Sequence, residues 1–303
     1  MMHINRSTNT APFCTRDASV FVSILPEAKK AFVLSESDRD EVLAFLRVRP
    51  VHTVVMSSFI IDNGIESDLN RGKFYAYRNL AGELEGVALI GHSTLVEARS
   101  DAALQALASS ARGSETPLHL IMSSGNAAQT FFDYLTNGRF QPRLTCTEAL
   151  FAVSFPFAVQ KTGWNLKTAE MSHLIAVAEA QAEVAFIECG VDPMIRDREG
   201  FLKRVARRIE QERVFVVMDG DELVFKADII AETDNVIYLE GVYVSPKYRG
   251  RGIGSECLST LSLELLGRAE HICLLSNVEF EHAHKSFVNA GFRNTDHCTT
   301  LFV

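Results

Sequence analysis

The segment from Val244 to Ser255, VSPKYRGRGIGS, constrains the fold more than any other part of the chain. A strand-like run, VIYLEGVYV, ends at Val244, and Pro246 stops it. Glycines then stand at alternate positions, Gly250, Gly252 and Gly254, before an amphipathic helix through Cys257, Leu258, Leu261, Leu265 and Leu266. Such a turn directs backbone N–H groups into one concavity at a helix N-terminus, where about half a unit of positive charge resides. Glycine lets the backbone approach a ligand closely, and Arg249 and Arg251 can add charge-assisted hydrogen bonds. A diphosphate suits that concavity. Spacing removes two other phosphate loops. A P-loop needs Gly-Lys-Ser/Thr after the strand, and a dinucleotide fingerprint needs a sixth-position glycine, which counted from Gly250 is Ser255. A glycine turn that only joins strand to helix is the plain alternative.

The chain has 303 residues, which at about 100–200 residues per domain suggests two domains. Each half is long enough to bury its own core. In the first half the patterning predicts a helix over 35–46, a hairpin over 73–90, a strand at 94–98, a helix over 101–112, a strand at 118–124, a helix over 127–138 and a strand at 147–155. Pro156 and Gly163 mark a boundary near 157–164, giving units at 1–160 and 161–303. The second half predicts a helix over 167–188, a second through FLKRVARRIEQE, three strands in a meander ending at Val244, the helix after the glycine turn, the strand HICLLSN, the helix EHAHKSFVNAG, and one or two short strands to Val303. The two halves thus share an element order. Leu84-Glu85-Gly86-Val87 repeats as Leu239-Glu240-Gly241-Val242, but one strand earlier in its unit, so the identity reads as coincidence.

The pattern R-x-x-G-x-G from Arg249 to Gly254, preceded by V-x-P, resembles the signature of the GNAT acetyltransferase superfamily. Ala290-Gly291-Phe292, closing a helix with Ala283 and Phe287, resembles that family's second landmark. The likeness spans roughly 165–303, and the first half has the element order without the loop. The resemblance implies a mixed α/β (α+β) fold: tandem GNAT-like units, each a mainly antiparallel twisted sheet flanked by helices, the N-terminal one degenerate and without cofactor. It implies acetyl-CoA as a substrate. The backbone of Val242, Tyr243 and Val244 would pair with the pantetheine arm, Gly250, Arg251, Gly252, Ile253, Gly254 and Ser255 would hold the pyrophosphate with Arg249, and Asn277 would contact the arm. A strand-end turn is an equally good role for Asn277.

Amide formation from a thioester needs a neutral amine, and amines of the lysine type are protonated at neutral pH. Glu240 is the candidate base. It stands two residues before Val242, and alternation places it on the same face as Val242 and Val244. A solvated or salt-bridged Glu240 is the ordinary alternative. A backbone N–H of the strand ending at Val244 could serve the oxyanion. Many family members carry a tyrosine as general acid where this chain has Phe287. A thiol of pKa about 8.5 leaves without much help; Ser286, Tyr243 or a water are substitutes that nothing selects among. His282 and His284 read as residues of a solvated helix face. So do Lys203, Arg204, Arg207, Arg208 and Arg213. Phe131, Phe132 and Tyr134 read as core.

The net charge of −8 argues against nucleic acid and is compatible with a cationic acceptor, a small-molecule or peptide amine. Six scattered cysteines, Cys14, Cys146, Cys189, Cys257, Cys273 and Cys298, show no zinc spacing and imply no metal site and a reducing compartment. No run reaches the ~18 apolar residues of a membrane span, and the N-terminus lacks a signal-peptide core, so a cytoplasmic protein with no membrane partner is expected. The activity expected is acetyl-CoA-dependent N-acetylation of a primary amine by direct attack in a ternary complex. A CoA-binding sensor or scaffold, or an acyltransferase with another donor, are the alternatives.

Overall fold

The computed structural model describes residues 30–303. Cys14 and the expected N-terminal tail lie outside them. The described strands form one twelve-stranded sheet with helices on both faces.

In chain order the first half holds β1 (Phe32–Val33), α1 (Arg39–Arg47), α2 (Pro50–Asn63), β2 (Gly72–Arg78), β3 (Leu84–Gly91), β4 (Ser93–Ala98), α3 (Asp101–Arg112), β5 (Leu120–Ser124), α4 (Ala127–Thr136) and β6 (Leu144–Val153). The second holds β7 (Lys167–Thr168), α5 (Leu174–Cys189), α6 (Pro193–Arg196), α7 (Arg198–Glu210), β8 (Val214–Asp219), β9 (Glu222–Glu232), β10 (Val236–Val244), α8 (Ile253–Leu265), β11 (His271–Asn277), α9 (Glu281–Asn289) and β12 (Arg293–Phe302). The expected helix over 167–188 starts later, because Lys167 and Thr168 pair with Val216 and Phe215 at the sheet edge. The tail is one long strand.

Pairing is antiparallel except where β4 meets β5 and β10 meets β11. The sheet order is β1-β2-β3-β4-β5-β12-β6-β11-β10-β9-β8-β7. Each half therefore gives its last strand to the other: β12 pairs with β5, β6 pairs with β11, and the two exchanged strands pair with each other. Phe151 and Val153 of β6 are buried in the same core as Leu258 and Leu261 of α8 and Phe287 of α9.

The sequence patterning does not predict helix α2. Its sequence, PVHTVVMSSFIIDN, is apolar and β-branched on several sides, without the one-faced stripe of a surface helix. The reason is its position. It is a wedge between the halves, with His52 Nε2 2.9 Å from Asp296, Ser58 accepting from the Glu232 N–H at 3.1 Å and Asp62 paired with Arg213 at 2.9 Å. Pro50 starts it at the first turn, where no N–H is required. Phe131 and Phe132 are buried core residues, as expected.

Candidate active site

The site begins where β10 and β11 part. Val236–Leu239 pair in parallel with His271–Leu274. Beyond that, β11 stays with β6 as far as Asn277 opposite Glu148, and β10 stays with β9 as far as Val244 opposite Phe225. One backbone edge of residues 240–244 thus faces a V-shaped opening. An extended chain can pair with such an edge as an added strand.

A bulge shapes that edge. Glu240 pairs with Asp228 and Tyr243 with Lys226, so Gly241 and Val242 together oppose the single residue Ala227. Gly241 has φ +57°, in the region that favours glycine. Its missing side chain is also required by space, since a Cβ would lie 2.3 Å from Gln181 Oε1 and 2.6 Å from Lys226 Nζ. The extra residue breaks simple alternation and corrects the expected facing of Glu240. Val242 and Val244 pack towards α8. Glu240 lies on the opposite face with Tyr238, whose hydroxyl donates to it at 3.0 Å.

Glu240 is exposed by surface area, yet burial is the largest influence on its carboxyl and pushes the pKa up, against Arg208 and the Tyr238 hydrogen bond. Water access tempers the shift without reversing it. Glu148 of β6 and Glu188 of α5 feel the same site. Burial raises the Glu148 carboxyl, and that of Glu188 is pushed up to about 7, by desolvation first and then by the charges of Glu240 and Glu148, although the Glu188 side chain is exposed at the surface and water there tempers the shift. Glu148 sits next to the opening only because β6 was exchanged, and the sequence offers no signal for it.

At the far end of β10 the glycine turn has the form its composition requires. Gly250 and Gly252 take φ of +76° and +81°. At Gly254 a Cβ would lie 3.0 Å from the Val244 side chain, so the third glycine lets α8 approach the strand. The α8 ladder starts with the Glu256 N–H donating to the Gly252 carbonyl at 3.1 Å. The N–H groups of Ile253, Gly254 and Ser255 therefore precede the ladder and point out of the helix end. The Ser255 hydroxyl turns inward to the Gly252 carbonyl at 2.8 Å. Arg251 leans over the Tyr248 ring at the turn's rim. Arg249 binds back, its Nε donating to the Val244 carbonyl at 2.8 Å and its guanidinium 3.4 Å from Glu183 of α5.

Other candidates resolve by contact. The Asn277 Oδ1 accepts from the Glu279 N–H at 3.0 Å, the strand-end turn role. Phe287 is core, edge-on to Phe151 with ring centres 5.5 Å apart. His284 Nε2 lies 3.0 Å from the Asn277 carbonyl and packs against Phe151. Tyr243 donates to Glu183 at 2.9 Å, and its pKa is pushed up to about 12 by burial and that bond. Two of the basic residues are half-buried and paired: Arg208 of α7 with buried Asp228 at 3.1 Å, and Arg213, beyond the helix end, with Asp62. Asp228 and the fully buried Lys226 also belong to this neighbourhood. Their signal in the sequence is FKADII, two charges at strand alternation inside an apolar run.

The first half repeats the parting of strands and closes it. Strands β4 and β5 pair in parallel only from Ser93–Leu95 to Leu120–Met122. Beyond them Arg49 bonds Glu97 at 3.1 Å and Ser124 at 3.0 Å, and α2 covers a cavity of about 30 Å³. Strand β4 passes to α3 through a Ser100 N-cap, with no glycine turn. LEGV of the first half falls on β3, one strand before the counterpart of β10, as expected of a coincidence.

Comparison with known proteins agrees with this architecture. Residues 210–294 match the family model described as an acetyltransferase (GNAT) domain. A search of curated proteins found no match. A GCN5-related N-acetyltransferase from Sphaerobacter thermophilus superposes with a TM-score of 0.61 at 14% identity, covering 91% of this chain and 96% of that one. A GNAT-family acetyltransferase from Colwellia psychrerythraea gives 0.58 at 13% identity, covering 90% and 99%. A tandem GNAT protein from the clavulanic acid biosynthesis pathway gives 0.54 at 10% identity, covering 90% and 98%. At these identities the structural likenesses speak to fold alone. Residues 210–294 thus match a GNAT acetyltransferase domain, and the glycine turn and the parted strands lie within that stretch, while the chain as a whole shares the fold of these structures, the tandem GNAT protein among them.

Proposed function

We propose that this protein binds acetyl-CoA in the opening between β10 and β11 and transfers the acetyl group to a primary amine of a small-molecule or peptide acceptor. The observation that carries the reading is one strand, β10, with an unpaired edge at Glu240–Val244 that leads directly into an anion-binding turn at the N-terminus of α8. Val242, Tyr243 and Val244 would hold the pantetheine arm by backbone pairing, and Gly250–Ser255 the pyrophosphate. Acetyl-CoA supplies the thioester. The acceptor nitrogen attacks the thioester carbonyl directly in a ternary complex, Glu240 takes the proton, the C–S bond breaks and the thiolate leaves.

A raised carboxyl pKa makes Glu240 a stronger base than a free carboxylate. The carboxyl groups of Glu148 and Glu188 beside it favour a cationic acceptor, whose charge would offset the repulsion that, after burial, raises their pKa values. Tyr243 is a poor general acid, since a group held near 12 does not readily give its proton to a thiolate of pKa about 8.5. Phe287, locked in the core, offers no acid either. Its place favours one second reading, a CoA-binding sensor without turnover. We assign residues 1–160 to a degenerate unit that binds no CoA, on the strength of the Arg49–Glu97 closure. Among the described residues no helix is long and apolar enough to cross a membrane. A reducing, cytoplasmic setting suits the free cysteines at 146, 189, 257, 273 and 298.

Gly252→Asp tests the site. It forces a side chain into φ +81° and sets a carboxylate beside the phosphates. CoA affinity by calorimetry should fall at least tenfold, about 1.4 kcal/mol, with the thermal transition kept. Unchanged affinity would remove the basis of the assignment. Thiol release by the wild type with an amine panel separates enzyme from sensor.

A further inference from the structure

Lys226 of β9 is fully buried, on the face covered by α5 and α7. Its ammonium donates to Gln181 Oε1 at 2.6 Å and to the Gly241 carbonyl at 3.0 Å. Asp228 Oδ1 lies 2.9 Å away as an ion pair, off the line of a donated hydrogen bond, and Arg208 holds the other Asp228 oxygen at 3.1 Å. A buried charge of this kind is costly, and a well-packed apolar residue often serves stability as well or better. What Lys226 does that an apolar residue cannot is grip one carbonyl, that of the bulge glycine.

The grip has a directional consequence. A trans peptide is planar, and its C=O and N–H point opposite ways. The Gly241 carbonyl is drawn towards Lys226 on β9, so the N–H of the same peptide, that of Val242, is turned away from β9. The V-shaped opening lies on that other side of β10. We infer that Lys226 is a positioning residue for acyl transfer: by holding the bulge carbonyl it aims the Val242 N–H at the oxyanion that forms when the amine attacks. The inference rests on the acyl-transfer reading above. No step of the reaction passes through Lys226; burial lowers its pKa, and the Asp228 carboxylate beside it opposes that fall. The approach of its Nζ to within 2.6 Å of a Cβ position at Gly241 shows how tightly the two are fitted.

The test pairs Lys226→Met with Asp228→Asn, so that the new methionine does not face the Asp228 oxygen that had the ammonium as its partner. CoA affinity should stay within about twofold, because the turn at Gly250–Ser255 is untouched, while kcat falls about 100-fold, as for loss of one oxyanion donor. A non-transferable acetyl-CoA analogue with a ketone in place of the thioester should lose its affinity advantage over CoA. Should the double variant fail to fold, Gln181→Leu loosens the same ammonium from α5, and kcat should then drop about fivefold with CoA affinity kept. Unchanged kcat in whichever variant folds, or equal loss of CoA affinity and kcat, overturns the inference. Failure of the acyl-transfer reading would look different: no turnover by the wild type itself.

Discussion

Glu240→Gln should lower kcat by about 10²- to 10⁴-fold while leaving CoA affinity nearly unchanged, because a general base acts on the acceptor and not on the pyrophosphate. The pH profile carries the sharper information. Glu240 works as a base only when deprotonated, so the rate falls as pH drops through its pKa. Burial raises that pKa above the usual carboxylate value, so the wild-type acid limb should lie above the carboxylate range. The limb should vanish in the glutamine variant. Tyr238→Phe gives the sign check: its hydroxyl donates to the charged carboxylate and lowers the pKa, so removing it should move the limb to higher pH. Glu188, pushed up to about 7, is the group most easily mistaken for the base. Glu188→Gln should retain the limb. An unaltered profile in Glu240→Gln would reduce Glu240 to a structural residue.

Residues 161–303 expressed alone should not fold cooperatively, although they contain the whole glycine turn and the matched domain. Without β6, the edge of β11 from Ile272 to Asn277 has no partner, and β12 loses both its neighbours, β5 and β6. The core under α8 and α9 loses Ala149, Phe151 and Val153, all buried. Deleting one buried Phe side chain costs about 3–5 kcal/mol, against a total stability of about 5–15 kcal/mol. Thermal melts by circular dichroism should show no sharp transition for this fragment. Nicking the intact protein between residues 157 and 163 should leave the melt cooperative, because both strands stay in place. A cooperative melt and CoA binding by the isolated fragment would contradict this.

Local signals made much of this legible. The glycine turn is legible because alternate glycines before an amphipathic run have few other uses, and the structure gives Gly250 and Gly252 one physical reason, positive φ, and Gly254 another, its approach to Val244. Helix α3 was read to the residue because its stripe is one-sided and Ser100 caps it. What stayed hidden was non-local. The bulge at Gly241–Val242 depends on pairing with β9, so period-2 counting put Glu240 on the wrong face. Helix α2 is buried on several sides, which erases the stripe on which a helix is recognised. Glu148 reaches the site through an exchange of strands between sequence-distant partners, and no spacing encodes that.

The exchange also sets an order for folding. Strand β12 follows every other described strand in the chain, yet it sits at the centre of the sheet, with Cys298 opposite Ser124 of β5 and Phe302 opposite Leu144 of β6. Domains generally form as units while the ribosome is still at work, the N-terminal one first. Here the first half cannot close when it emerges. Strand β5 must wait with an open edge until more than half of the chain has been added, and such edges are where partly made chains stick to one another. Expression yield should therefore depend on translation speed and chaperone supply more steeply than for two independently closing units of the same size.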